Sequence, residues 1–215
     1  MATQTAAPPF VKGRRYRMTF EEFLELVPPK VHAEWVDGEV YILMATDERH
    51  AKILGFLFAL IHAYLERFDL GEAFFPTYGV HLRPGRSWRE PDIFVVLAEH
   101  RDRVTNKGVQ GPPDAIIEAI SPNDPNRDLI EKFADYDAAG VPEYIAVDGR
   151  EGHETLYFWG RIDGRLQRVD PDPQGRFHSQ VLPGFWIDPT WLWQDPLPKV
   201  ATALALILAS RSSSG

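Results

Sequence analysis

Apolar and polar positions alternate along this chain in ways that mark out its elements. From Asp47 to about Phe68, Ile53, Leu54, Leu57, Leu60, Ile61, Tyr64 and Leu65 recur at helical spacing. That pattern predicts a long amphipathic helix, ended by Gly71. Thr19 to Glu22, TFEE, is a capping box that opens a short helix reaching about Leu26. Asp124 to Ala139 reads as a further helix, with Gly140 past its end and Pro142 stopping it. In AEWVDGEVYIL two alternating runs flank Asp37-Gly38, the signal of a type I′ hairpin, and TLYFWGRIDGRLQRV repeats the arrangement around Asp163-Gly164.

Three strand-like runs follow the long helix, at 73–82, 91–96 and 115–120. The last two are almost continuously apolar and β-branched, which marks strands covered on both faces. The polar stretch between them, LAEHRDRVTNKGVQGPP, has room for one short helix. EYIAVD is another strand, and FHSQVLPGFWIDPTWLW reads as a final strand with an aromatic closing segment. The expected fold class is therefore α/β (α+β): one domain over residues 18–195 with a mixed β-sheet, helices packed on it and an added β-hairpin. Residues 1–17, with Pro8, Pro9 and the basic Lys12, Arg14, Arg15 and Arg17, read as a mobile arm. Residues 196–215 read as a C-terminal helix and tail.

Composition narrows the function classes. The 215 residues are 44% hydrophobic and 12% aromatic, a globular balance with enough length for a proper core. With no cysteine, disulfides, thiolate nucleophiles and cysteine-ligated zinc are excluded, which fits a cytoplasmic location. The first residues lack the apolar core of a signal peptide, and VATALALILA is about half of a membrane span, so no membrane association is expected. A formal net charge of −8 argues against a broad nucleic-acid-coating surface and leaves room for a locally basic groove.

Two acids stand out against this background. Asp92 follows Pro91 at the head of the run DIFVV, and Glu118 lies inside AIIEAI. Burying an ionised carboxylate costs several kcal/mol unless it is paired or bound to a cation. If the two strands are neighbours, the acids converge, and a magnesium or manganese ion would relieve their repulsion through hard oxygen ligands. The backbone carbonyl of Ala119 is a candidate third ligand. The alternative is structural: Asp92 caps a turn and Glu118 pairs with a nearby Arg or Lys. In the next helix, Asp128, Lys132 and Tyr136 are spaced i, i+4, i+8 and form one row, with Ile130, Phe133 and Ala134 on the opposite face for packing. Such a row is either a solvated face with one salt bridge or a way to aim an ammonium at the carboxylates.

The order of these segments is familiar. REPDIFVV, then IIEAISP, then RDLIEKFADYDAAGVPEYIAVD, with EWVDGEVYIL and His50 upstream and VLPGFWID downstream, resembles the Uma2 family of the PD-(D/E)XK restriction-endonuclease-like superfamily. The resemblance covers about residues 18–195. It implies a four-stranded mixed β core flanked by helices and a metal-dependent phosphodiesterase site. Asp92 matches the acid of the PD motif and Glu118 the second acid. The superfamily pattern places a lysine two residues after that acid, where this chain has Ile120; the resemblance implies that Lys132, on the following helix, takes its place. Glu34 is then an outer carboxylate or a salt-bridge partner, His50 a substrate contact or a local hydrogen-bonder, and Tyr136 a hydrogen-bond donor across the site or a packing residue. Arg83, Arg86 and Arg89 either grip phosphates or keep an exposed turn soluble.

The resemblance leads to an expected Mg²⁺- or Mn²⁺-dependent endonuclease acting on DNA phosphodiester bonds. Its rivals are a catalytically inactive nucleic-acid-binding or regulatory module that keeps the fold, and a hydrolase of some other phosphate ester. Exposed sheet edges also leave a homodimer open.

Overall fold

In the computed structural model, which describes residues 10–28, 30–44, 47–76, 78–122 and 124–212, the two most continuous apolar runs are adjacent strands. The first half of the chain forms β1 (Arg15–Arg17), α1 (Phe20–Leu26), β2 (Ala33–Val36), β3 (Glu39–Ile42), α2 (Glu48–Phe68), β4 (Gly71–Phe74), β5 (Val80–Arg83), β6 (Ser87–Arg89) and β7 (Ile93–Leu97). After a 3₁₀ turn come β8 (Val104–Thr105), β9 (Gly108–Gln110) and β10 (Ala115–Ala119). A π-helical turn, Arg127–Lys132, runs directly into α3 (Phe133–Ala139). The chain then forms β11 (Glu143–Asp148), β12 (Thr155–Ile162), β13 (Arg165–Arg168), β14 (Phe177–His178), β15 (Trp186–Ile187), a 3₁₀ turn and α4 (Val200–Ser212).

A six-stranded mixed sheet runs β13-β12-β11-β10-β7-β4, with β10 and β11 parallel and the other pairs antiparallel. The sheet has six strands where the resemblance implies a core of four. Both faces of the centre are covered. Ile93, Val95, Ile117 and Ile145 pack with Leu57, Leu60, Ile61 and Tyr64 of α2 and Ile207 of α4. Phe94, Val96, Ile116 and Tyr144 pack with Tyr136 of α3, Val80 and Leu82 of β5 and Val109 of β9. Double coverage is the reason these strands carry almost no polar residue, and it makes Glu118 an exception that needs a cause.

The second sheet runs β1-β3-β2-β6-β5-β9-β8. Its β2–β3 end is closed by α1 through Phe23, Val27, Trp35, Val40 and Ile42. The hairpin turn has φ of 45° at Asp37 and 87° at Gly38, and the β12–β13 turn has 50° at Asp163 and 77° at Gly164, as the Asp-Gly pairs predict. The Thr19 capping box is present, with the Glu22 N–H donating to Thr19 Oγ1 and the Thr19 N–H to Glu22 Oε2.

Several boundaries differ from the sequence reading. Arg15–Arg17, placed in a mobile arm by their charge, form a strand on β3, because Tyr16 packs on Phe10 and Arg15 is paired with Glu39 and Glu131. Residues 1–9 of that arm lie outside the described residues. The run 73–82 is not one strand: it breaks after Phe74, so that β4 joins one sheet and β5 the other. The connection 97–113 holds the β8–β9 hairpin as well as its helical turn. Asp69, at φ 52°, ends α2 in place of Gly71. The α4 helix is apolar on every side, and among the described residues no helix is long and apolar enough to cross a membrane.

Gly71 instead opens β4 at φ 147°, where an added Cβ would collide with the Val96 carbonyl oxygen and stand 2.7 Å from Leu97 Cα. Gly71→Ala is therefore expected to destabilise the fold by about 2–4 kcal/mol, read as a lowered midpoint in urea.

Candidate active site

The antiparallel register of β7 and β10 pairs Ala115 with Val95, Ile116 with Phe94 and Ile117 with Ile93. One pair further, the same register sets Glu118 opposite Asp92, on the face that also holds Phe94 and Ile116. Like charges directly opposite each other repel, so this pair needs support. The ladder gives way there to reciprocal side-chain bonds: the Asp92 N–H donates to Glu118 Oε2 at 3.3 Å, and the Ala119 N–H donates to Asp92 Oδ2 at 2.9 Å. Glu118 is fully buried.

Lys132 reaches the pair from the π turn. Its Nζ lies 2.8 Å from Glu118 Oε2, 3.1 Å from Asp128 Oδ1 and 3.9 Å from Glu34 Oε1. Asp128 also accepts the Ser121 N–H at 2.9 Å. The Tyr136 hydroxyl donates to the other Glu118 oxygen, Oε1, at 2.5 Å. The polar row therefore faces inward: Asp128, Lys132 and Tyr136 are buried, whereas Ile130, expected to pack, is 60% exposed and Ala134 is exposed too. Phe133 alone of the expected packing face touches the core, against Tyr144 and Trp159. The inversion has an electrostatic cause. The strand carboxylates need a cation, and that requirement outweighs the modest area of Ile130. A wide π turn, a distortion often found at functional sites, presents Arg127, Asp128 and Lys132 inward together.

A second ring of charges surrounds this group. Glu34 of β2 is a salt-bridge partner: Oε2 accepts from Arg89 at 2.9 Å and from Arg127. Asp135 accepts from Arg89 Nε at 2.9 Å and pairs with Arg83. The three arginines near β6 thus part company: Arg89 is buried in this network, Arg83 joins it, and Arg86 is exposed and pairs with Asp37. Sequence reading missed Arg127, Arg89 and Asp135 as members of the assembly. Asp135 had a signal, since it continues the row of Asp128 and Lys132 by one helical turn. Buried arginines had none, because arginine is read as a surface residue by default.

The electrostatics follow from burial and charge count. Five carboxylates (Glu34, Asp92, Glu118, Asp128 and Asp135) meet the four cationic side chains Arg83, Arg89, Arg127 and Lys132. Burial pushes the Glu118 carboxyl up, and Asp92 and Asp128 add to this, so that it stands at about 8 despite Lys132. Burial works the same way on Glu34, but Arg127, Lys132 and Arg89 overcome it and bring it down to about 2. Asp92 is likewise lowered against burial, by the nearby His50 ring, by Lys132 and by the Ala119 N–H. Burial alone would lower the Lys132 ammonium, yet Glu118, Asp128 and Glu34 hold it above its ordinary value.

A cleft of about 80 Å³ opens over the group, lined by Tyr41, His50, Asp92, Ala119, Asp128 and Lys132 among others. A wider groove of about 790 Å³ adjoins it across Tyr41 and Arg127, whose guanidinium lies 4.1 Å from the Tyr41 ring centre. Five arginines of that groove are matched by five acids, so it is not strongly basic. The cleft is lined by the Asp92 and Asp128 carboxylates and by Ala119, oxygen donors of the hard kind a divalent cation takes, while Glu118 lies buried and is not among the lining residues. Among the described residues no group of three or more His, Cys, Asp or Glu side chains is arranged to hold a metal.

Comparison with known proteins identifies the family and the fold. The Uma2 family model, described as "Putative restriction endonuclease", matches residues 20–190. No curated protein matches the chain. Among solved structures, a crystal structure of "a putative nuclease belonging to DUF820" from Anabaena variabilis ATCC 29413 aligns with a TM-score of 0.66 and 18% identity. The alignment covers 82% of this chain and 97% of that one, and at this identity it carries the fold alone.

A carboxyl at about 8 in the folded chain, against 4.5 for the ordinary group, is protonated only in the folded state between those values. Its contribution to stability is complete below about 4.5 and is lost as pH rises towards about 8. Urea unfolding in chelator at several pH values is expected to show this loss in the wild type and a flatter profile over the same window in Glu118→Gln.

Proposed function

The chain belongs to the Uma2 family, and from that premise we propose that it is a divalent-metal-dependent endonuclease that hydrolyses DNA phosphodiester bonds. The observation that carries the reading is the convergence of Asp92, Glu118 and Lys132. Lys132 Nζ and the Asp92 backbone N–H both reach Glu118 Oε2, and the Asp92 carboxylate accepts the N–H of the adjoining Ala119, so the two acids stand side by side at neighbouring strand ends with the ammonium of the following helix on Glu118. We read this as a PD-(D/E)XK site with its lysine moved onto the helix.

Asp92, Glu118 and the Ala119 carbonyl would hold Mg²⁺ or Mn²⁺. Bound there, such an ion supplies Lewis-acid polarisation of the phosphate and an activated water. The chain's own residues do the rest. Lys132, held charged by its acidic neighbours, acts as an electrostatic donor to the phosphoryl oxygens as negative charge develops, not as a base. Asp128 and Glu34 keep its ammonium in place. Tyr136 fixes the Glu118 carboxylate by donating to Oε1, leaving Oε2 towards Asp92 and Lys132. Arg89 and Arg127 hold Glu34 ionised and so support that ammonium at one remove.

A second reading, a nucleic-acid-binding module without catalysis, draws on the same ion pair. Lys132 lies directly on Glu118, and the buried charges come within one of balancing. Both readings meet their test in calorimetric titration of Mn²⁺ followed by a supercoiled-plasmid nicking assay. The enzyme reading expects Asp92→Asn and Glu118→Gln to weaken metal binding at least about tenfold and to abolish nicking. Lys132→Met should keep metal binding and cut nicking by roughly 100-fold, the size of one lost electrostatic donor. A wild type that takes up no metal and nicks no plasmid leaves only the non-catalytic module.

A further inference from the structure

His50 contributes a buried nitrogen that no hydrogen bond among the described residues satisfies. It occupies the first turn of the 21-residue α2, where its N–H donates to the Asp47 cap at 2.8 Å. Its side chain is nine-tenths buried, at 10% exposure. The ring atom Nε2 makes no hydrogen bond with any of the described residues. His50 lines the cleft, and its Nε2, buried just beneath that lining, stands 3.7 Å from Asp92 Oδ2, beyond hydrogen-bond reach. Buried side-chain nitrogens are nearly always paired, so one left unpaired beside a cleft and an acid points to a partner that enters the cleft.

The chemistry of the cleft says what that partner is. Lys132, its ammonium donor, is shared among Glu118, Asp128 and Glu34. An anionic group entering beside Asp92 therefore meets carboxylate and needs a further donor close to it. The Nε2–H form of His50 is such a donor, and it comes from α2, an element separate from the one that carries Lys132.

We propose that His50 contacts the substrate, its Nε2–H donating to a non-bridging oxygen of the phosphodiester bound beside Asp92. This rests on the nuclease reading above and adds to it a residue on a separate element. The role concerns binding, so it separates from a metal-ligand role and from a ring satisfied by a resident water.

The test follows initial rates of cleavage of a fluorescein-labelled single-stranded oligonucleotide against its concentration. His50→Ala is expected to raise KM about tenfold or more, with Mn²⁺ affinity by calorimetry and the thermal midpoint close to wild type. His50→Gln, whose amide can donate from a similar position, is expected to recover much of that loss. An unchanged KM in His50→Ala overturns the proposal. So does a fall in Mn²⁺ affinity, which would make the ring a servant of the metal site. A second arm needs no turnover: in the ¹⁵N-histidine spectrum of the wild-type protein, dimethyl phosphate should shift the His50 Nε2 resonance and leave the exposed His178 unmoved. A His50 resonance that ignores dimethyl phosphate sinks the inference even in an active enzyme. If the resonance shifts in a protein that cleaves nothing, the phosphate contact stands and the nuclease reading falls.

Discussion

The buried ammonium of Lys132 is the interaction on which the rest of the architecture depends. Glu118 sits in the middle of a doubly covered sheet and Asp92 stands across from it, and neither position tolerates uncompensated charge. One cation, brought from the next helix, touches Glu118 and Asp128 and lies near Glu34. Without it Glu118 and Asp128 would lose the cation paired with them, since the nearby arginines are engaged by Glu34 and Asp135.

That requirement explains features that look unrelated. The helix after β10 turns its polar row inward and leaves Ile130 in water. It starts as a π turn, which lets Arg127 and Lys132, five residues apart, both point at the site. Arg127 in turn ties the second sheet to the first, because it binds Glu34 of β2 and lies over Tyr41 of β3. Arg89 and Asp135 extend the same lattice of charges to β6 and α3. The two sheets are joined here by ion pairs, while elsewhere they are joined by apolar packing of Val80, Leu82 and Val109 against Phe94 and Val96. Buried ion pairs of this kind contribute little net stability, since desolvation offsets their attraction, but removing one partner is costly.

Much of the fold was legible from local rules. The Asp-Gly pairs mark positions that need positive φ, and both hairpins turn there. The capping box at Thr19 and the αL residue Gly140 bound their helices as read. Period and composition identify α2 and the buried strands, because a stripe of apolar residues is written directly in the sequence. The candidate acids were legible for the same reason: Glu118 breaks an otherwise apolar run. What failed was burial of charged residues. Ile130 and Ala134 read as a packing face and Arg89 as a loop residue, since local pattern assigns charge to water. Arg15–Arg17 read as an arm because a strand edge that will accept them is not visible from their own residues.

Sequence alone, then, determined the elements and the two acids, because turn dihedrals, capping and hydrophobic period act within a few residues of each other. Tertiary structure decided which faces meet. It set Glu118 against Asp92 by strand register, sent 73–82 into two different sheets and turned the Lys132 row inward. It also brought Glu34 and His50, far apart along the chain, to the same centre. Each of these depends on where a counter-charge or an open backbone edge lies in space, and the free energy of burying a charge is set by that whole neighbourhood and not by the residue itself.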